Sequence, residues 1–155
     1  MVAESLQEQS LPKVSFKFHG PGSWRVRKLD LREEIGAPYH CDLDLVSVEP
    51  DADVQELLGE SVTLEILRDE LTRRIHGVIF RVIDQGTAHD HVSVQVFLAP
   101  ALWLASHGTN TRIFQGRTAP QIIQEVLKDP LWVNHRTCEA RLDYEHYVER
   151  EFCVQ

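Results

Sequence analysis

His89-Asp90-His91 is the first group in this chain whose spacing could do chemistry. On a strand the two imidazoles would share a face, an arrangement able to chelate zinc or copper. A site needs a third and a fourth donor, and none is identifiable, so the trio reads as a polar hairpin tip. His76, followed by Gly77 in an apolar run, reads as a partly buried core residue in preference to a general base. The many carboxylates could supply an acid/base pair of the glycosidase kind, but no spacing selects one. There is no G-x-S-x-G, H-E-x-x-H, Walker loop or dinucleotide fingerprint. No catalytic residue, metal or cofactor is therefore expected. Cys41, Cys138 and Cys153 are odd in number, far apart and outside any C-x-x-C pair, which fits free thiols in a reducing compartment.

Charge narrows the partners. The formal net charge is −8, and between Asp30 and Glu60 ten acids face one base, Arg32. That stretch would repel phosphate backbones, so nucleic acid is not an expected partner. Its two readings are a solvated face and an acidic patch matched to a basic partner. With 155 residues, 43% apolar and 26% charged, the chain suits one folded unit. No apolar run nears the roughly 20 residues that span a bilayer, and Met1 to Lys13 lacks the pattern of a signal peptide. A soluble protein with no membrane partner and no secretory address is expected. Residues 1–12 read as a loose, flexible arm and 13–155 as a single domain.

The elements that must position these residues are mostly strands. Val14 to Phe18, Trp24 to Leu31, Tyr39 to Leu45 and Ser61 to Leu67 alternate apolar and polar residues with a period of two. His19-Gly20-Pro21-Gly22-Ser23 is turn chemistry. Asp51 to Leu58 predicts one or two helical turns, with Val54, Leu57 and Leu58 at helical spacing, stopped by Gly59. Arg73 to Ile83 is apolar on both faces, with Ile75, Ile79 and Ile83 on one and Val78, Phe80 and Val82 on the other. Such a strand is covered twice, by a barrel interior and a helix or by a partner chain. Gln85-Gly86 predicts the turn into the returning strand Val92 to Leu98. Thr118 opens the one clear helix, near 118–128, with its hydroxyl and Gln121 forming a capping box and Pro120 in the first turn. Ile122, Ile123, Val126 and Leu127 form its apolar stripe, which ends before Asp129-Pro130. Tyr144 to Val154 predicts a last strand. Trp103 reads as core. Arg112 is placed to pair with a carboxylate or backbone carbonyls and pin its loop to the barrel, or to make an inter-subunit contact.

Several segments together carry a resemblance: H-G-V-I-F at His76 to Phe80, V-x-V-F-L-A-P-A-L-W-L at Val94 to Leu104, T-R-I-F-Q-G at Thr111 to Gly116 and T-A-P-Q-I-I-Q-E-V-L at Thr118 to Leu127. In that order and spacing they resemble the N-terminal hub part of VgrG, the type VI secretion spike, whose hub is similar to baseplate hubs of contractile phages. Pro38-Tyr39, Leu57-Leu58-Gly59 and Tyr147 to Gln155 extend the likeness, while Ile35-Gly36-Ala37 departs from it. The resemblance implies a mainly β (α+β) fold, an antiparallel barrel-like hub domain that is the first part of a hub cut before its second half. It also implies a structural role without an active site. A homotrimer would dock on the ring of the tube protein Hcp, transmit force to a needle, and meet effectors or baseplate proteins. The protein would be cytoplasmic before firing and then exported by the machine. The residues the resemblance marks as structural or interface positions are His76, Gly77, Pro100, Trp103, Leu104, Arg112, Ile113, Phe114, Gln115, Ile122 and Ile123. A phage-type tail hub is the alternative, and an enzyme on a β-barrel is a third reading.

Overall fold

The computed structural model describes residues 13–47, 49–132, 136–143 and 146–154; the expected N-terminal arm, 1–12, lies outside them. Alternating sequence becomes six strands: β1 (Val14–His19), β2 (Trp24–Arg32), β3 (His40–Ser47), β4 (Ser61–Arg68), β5 (Leu71–Ala88) and β6 (His91–Ala99). They form one sheet in the order β1-β4-β5-β6-β3-β2, antiparallel throughout. The two outermost strands, β1 and β2, lie against each other, so the sheet rolls into a nearly closed barrel as expected.

Register fills the interior. Cys41, Leu43 and Leu45 on β3 face Leu98, Val96 and Val94 on β6, all fully buried. Val62 and Leu64 of β4 and Ile75 and Ile79 of β5 complete the wall. Each such aliphatic side chain contributes roughly 1.5–3 kcal/mol when withdrawn from water. One end of the barrel is plugged by a single 3-10 turn, Gln55–Leu57, shorter than the helix the spacing predicts. The Asp53 carboxylate accepts the Gln55 N–H at 2.8 Å and sets that turn. Leu57 is fully buried, but Leu58 is already extended and 52% exposed, so the expected Val54-Leu57-Leu58 stripe is broken at its last member. Gly59 follows with φ +85°, a conformation that costs glycine little.

The long strand β5 departs from a simple period of two. Ile79 pairs with Leu98 but Arg81 pairs with Phe97, which leaves Phe80 as an extra, bulged residue. Past the bulge the faces exchange. Val82 packs on the core, and Ile83 lies opposite Gln95, so Ile75, Ile79 and Ile83 do not share a face as the spacing predicts. A second irregularity falls at Gln85-Gly86, where the Asp84 carboxylate accepts the Gly86 N–H at 2.7 Å. The chain does not turn there. It turns at His89 and Asp90, both with positive φ (51° and 60°), the two-residue geometry that matches strand twist. His89 is thus a turn residue and His91 begins β6, so the trio is a polar hairpin tip and the imidazoles do not line one strand face.

After β6 come α1 (Ala101–Ala105), β7 (Ile113–Phe114), α2 (Ala119–Trp132) and β8 (Cys153–Val154). Helix α2 runs past the predicted end and carries Pro130 inside. A proline this close to a helix end removes only one backbone donor, and the turn beyond it buries Leu131. The capping box is half formed: the Gln121 side chain accepts the Thr118 N–H at 2.9 Å, but the buried Thr118 hydroxyl has no partner among the described residues. Of the predicted last strand, only Cys153–Val154 pairs as a strand, with Phe114 and Ile113; Arg150 adds an isolated bridge to Arg117. Residues 144–145 lie outside the described ones.

Candidate functional site

Pro38-Tyr39 and His76-Gly77 meet in space. The Tyr39 hydroxyl donates to the His76 carbonyl and lies directly over Gly77. A Cβ at residue 77 would sit 2.8 Å from that hydroxyl oxygen and 3.0 Å from the Ala99 carbonyl oxygen, so only glycine fits. Burial, with a smaller effect from nearby Cys41, pushes the Tyr39 phenol up to about 12. It stays protonated and donating. His76 is exposed, contrary to the expectation of a partly buried core residue, because it stands on the outer face of β5. Its Nδ1 lies 2.8 Å from the Thr63 hydroxyl across the ladder. The H-G pair is thus a structural lock joining β5 to the segment that leads into β3.

A second constellation lies on the barrel's outer wall. Pro100 is extended and caps α1, whose first turn closes when Trp103 N–H donates to the Pro100 carbonyl at 2.8 Å. Trp103 is not core as its size suggests. It is half-buried on the outside, with ring centroids 4.1 Å from Phe80, 4.0 Å from His107 and 6.1 Å, edge-on, from His40. The bulge turns Phe80 outward to meet it, and Arg81 covers the neighbouring Phe97 at 4.9 Å. Of the two covers predicted for β5, the chain therefore supplies both itself, the barrel interior and a helix. Leu104 is half-buried beside Trp103 and lines the same groove.

The third constellation belongs to the C-terminal unit. Arg112 pairs with Asp129 of α2 at 3.4 Å, so it ties its loop to the helix and not to the barrel. Phe114 points inward from β7, while Ile113 and Gln115 on either side are exposed. Ile122 is half-buried and Ile123 exposed on α2, and with Phe114, Val126 and Val154 they border an apolar hollow of about 330 Å³. The marked residues thus fall into three places: His76 and Gly77 in the lock, Pro100, Trp103 and Leu104 on the wall, and the other six around β7 and α2.

The acids also divide. Asp30 and Asp42 are cross-strand partners on β2 and β3, and Arg32, two residues further along β2, has its pKa raised, first by a hydrogen bond with Asp30 and then by both charges. Glu49, Asp51, Asp53 and Glu56 line a hollow of about 240 Å³ beside Trp24. Among the described residues no group of three or more His, Cys, Asp or Glu is arranged to hold a metal ion. The three cysteines are free, and burial drives the Cys41 thiol up to about 12.

With this geometry in place, the family model for the phage tail baseplate hub matches residues 32–155. The chain belongs to the phage tail baseplate hub family. It is 34% identical over 133 residues to the type VI secretion system spike protein VgrG1b of Pseudomonas aeruginosa, covering 84% of this chain and 17% of that protein. It is 34% identical over 137 residues to VgrG1c of the same organism (88% and 18%), and 31% identical over 154 residues to the actin cross-linking toxin VgrG1 of Vibrio cholerae (98% and 13%). This hub domain therefore spans under a fifth of the length of those curated relatives. Its fold matches the E. coli c3393 protein, a type VI secretion component similar in structure to the T4 bacteriophage tail proteins gp27 and gp5. That match has a TM-score of 0.58 at 21% identity and covers 95% of this chain and 37% of that one. The resemblance read from the motifs is thus borne out, as is the mainly antiparallel β fold. No described helix is long and apolar enough to cross a membrane. Sequence reasoning missed the outer-wall groove; its signal was Leu58, an apolar residue that the core does not take up.

Proposed function

We propose that residues 13–155 are the first part of the hub of a contractile injection spike, a structural part that works without an active site. Three copies, each completed by a second hub half, surround the spike axis and dock on an Hcp ring. A hub with two similar halves lets three chains match six-fold symmetry. The push of the tube passes through the barrels to the needle, and the protein leaves the cell with the machine. The reading is carried by one observation beyond the family match: the barrel is nearly closed by its own chain, while Ile113, Ile123, Phe152 and Val154 are exposed around β7, β8 and α2. Surface of that kind, gathered at one end, suits an element built to be covered in an assembly. The residues around β7 and α2, Arg112 to Gln115 with Ile122 and Ile123, are proposed as that contact.

Native mass spectrometry of two proteins tests the reading. The chain alone should be a monomer or weak oligomer. A chimaera in which the remainder of VgrG1b follows residue 155 should be a stable trimer that co-elutes with Hcp rings. A monomeric chimaera sinks the proposal. Assays on cell-wall glycans, peptides and phosphodiesters should find no turnover from the chain; turnover abolished by one substitution would overturn the structural role. A phage-type tail hub is the second reading, favoured by the family's own description, and the genes flanking the coding sequence separate the two.

A further inference from the structure

We propose that the acidic hollow beside Trp24 receives a single arginine side chain carried on a basic segment of a partner protein. It lies at one end of the barrel, between the β1–β2 link, which supplies Pro21 and Gly22, and the loop that runs from β3 into the 3-10 turn. Glu49, Asp51, Asp53 and Glu56 line it and no basic residue does. None of the four is in an ion pair among the described residues. Its volume of about 240 Å³ is below the roughly 300–1,000 Å³ of pockets that take a whole small molecule, and suits one side chain.

Acids alone select no ligand; the deciding group is the Trp24 indole. The residue is 8% exposed and its ring packs in the barrel core, yet its N–H has no acceptor among the described residues, although four acids line the same hollow. A buried indole N–H ordinarily finds a partner. The nitrogen faces Gly22: a Cβ at that residue would stand 2.8 Å from Nε1, so glycine, at φ +72°, leaves the donor uncovered where both residues border the hollow. Core packing holds this donor in place, and the Asp53 carboxylate is held by accepting the Gln55 N–H.

The acids call for a cation and the indole calls for an acceptor. A bare metal ion offers no acceptor, and among the described residues the acids are not gathered to chelate one. An arginine within a peptide offers both. Its guanidinium spreads five N–H donors in a planar fork across several carboxylates, while a neighbouring peptide carbonyl takes the indole N–H. Lysine brings a compact charge with three donors and engages fewer of the acids at once. Of the two readings of the acidic stretch, this hollow therefore favours the matched basic partner, whose opposite charge also speeds encounter.

The test titrates the full chain with an acetylated, amidated Gly-Arg-Gly peptide and with the same peptide carrying citrulline, which keeps arginine's shape and loses its charge. Binding is read from the NMR signal of the Trp24 indole N–H. The arginine peptide should shift that signal to saturation, and the citrulline peptide should bind at least about tenfold more weakly. Asp51→Asn combined with Glu56→Gln should weaken the arginine peptide at least about tenfold as well. Glu125→Gln combined with Glu151→Gln, which neutralises two acids outside the hollow, should leave its affinity unchanged. All four side chains are exposed, and circular dichroism checks that both double variants keep the barrel. The proposal is overturned if the Trp24 signal stays fixed, if citrulline binds as tightly as arginine, or if the two double variants bind alike. It is independent of the assembly reading, since trimer formation by the chimaera is a separate measurement.

Discussion

The barrel and the C-terminal unit solve the burial problem differently. In the barrel every strand from β2 to β6 sends residues into one interior, and ten side chains among the described residues are wholly withdrawn from solvent. Among the described residues of the unit from α1 to β8 only Phe114, Pro120 and Leu131 are buried, while Ile113 and Val154, opposite each other in the ribbon, are 67% and 68% exposed. A nearly closed sheet pairs all but its two edge strands on both sides and covers its own apolar face. Short helices and a two-residue ribbon cannot, because each offers one face and has too few neighbours to cover it. The barrel thus carries an element whose apolar surface the described residues leave uncovered.

Thiol labelling should break or confirm that contrast most sharply. Cys138 is exposed and Cys41 is buried with its thiol driven up to about 12, so a maleimide pulse should modify Cys138 promptly and Cys41 only after unfolding. Mass spectrometry reads the sites, and prompt modification of Cys41 would show that the barrel opens readily. Stability should follow the same division. Leu45→Ala should cost about 3 kcal/mol in denaturant melts, and Ile123→Ala under about 0.5 kcal/mol in the isolated chain. Equal losses would erase the distinction.

Within the barrel, Gly77→Ala should cost about 1–3 kcal/mol through overpacking against Tyr39 and the Ala99 carbonyl. Adding Tyr39→Phe, which removes the clashing hydroxyl, should recover part of that loss; simple additivity of the two changes would disprove the lock. The smallest effect is at Glu65, whose pKa is lowered first by its hydrogen bond with Arg74 and also by His19. A depressed carboxylate contributes stability above its unfolded value of about 4.3, and that contribution is lost as pH falls through its folded value. Glu65→Gln should therefore flatten the acid limb of a melting-temperature profile and leave the neutral limb nearly unchanged.

The strands were legible because their inward residues alternate strictly, as at Cys41, Leu43 and Leu45, and a period of two leaves few alternatives. What escaped was local and depended on context. Phe80 lies in a run apolar on both sides, so one extra residue changes no pattern, and only the pairing of its neighbours Ile79 and Arg81 with Leu98 and Phe97 exposes the bulge. Gln85-Gly86 has turn composition but became an irregularity, because the two-residue turn at His89-Asp90 sets the register of the hairpin. Pro130 suggested a helix end, yet the helix continues for one more turn, which buries Leu131. The marked motif residues were readable as a set. Their separation into a lock, an outer wall and a C-terminal unit required coordinates, since residues 39 and 77, or 58 and 103, are neighbours only after folding.

The order β1-β4-β5-β6-β3-β2 places β1 and β2, consecutive in the chain, at opposite ends of the sheet, with Gly20 to Ser23 linking them across the seam. Such a sheet is a split ring. It can widen or narrow at its gap while all five hydrogen-bonded ladders stay intact, and the two free strand edges face each other and not solvent. In the assembly proposed above, a split ring would take up small differences in circumference at one predetermined line.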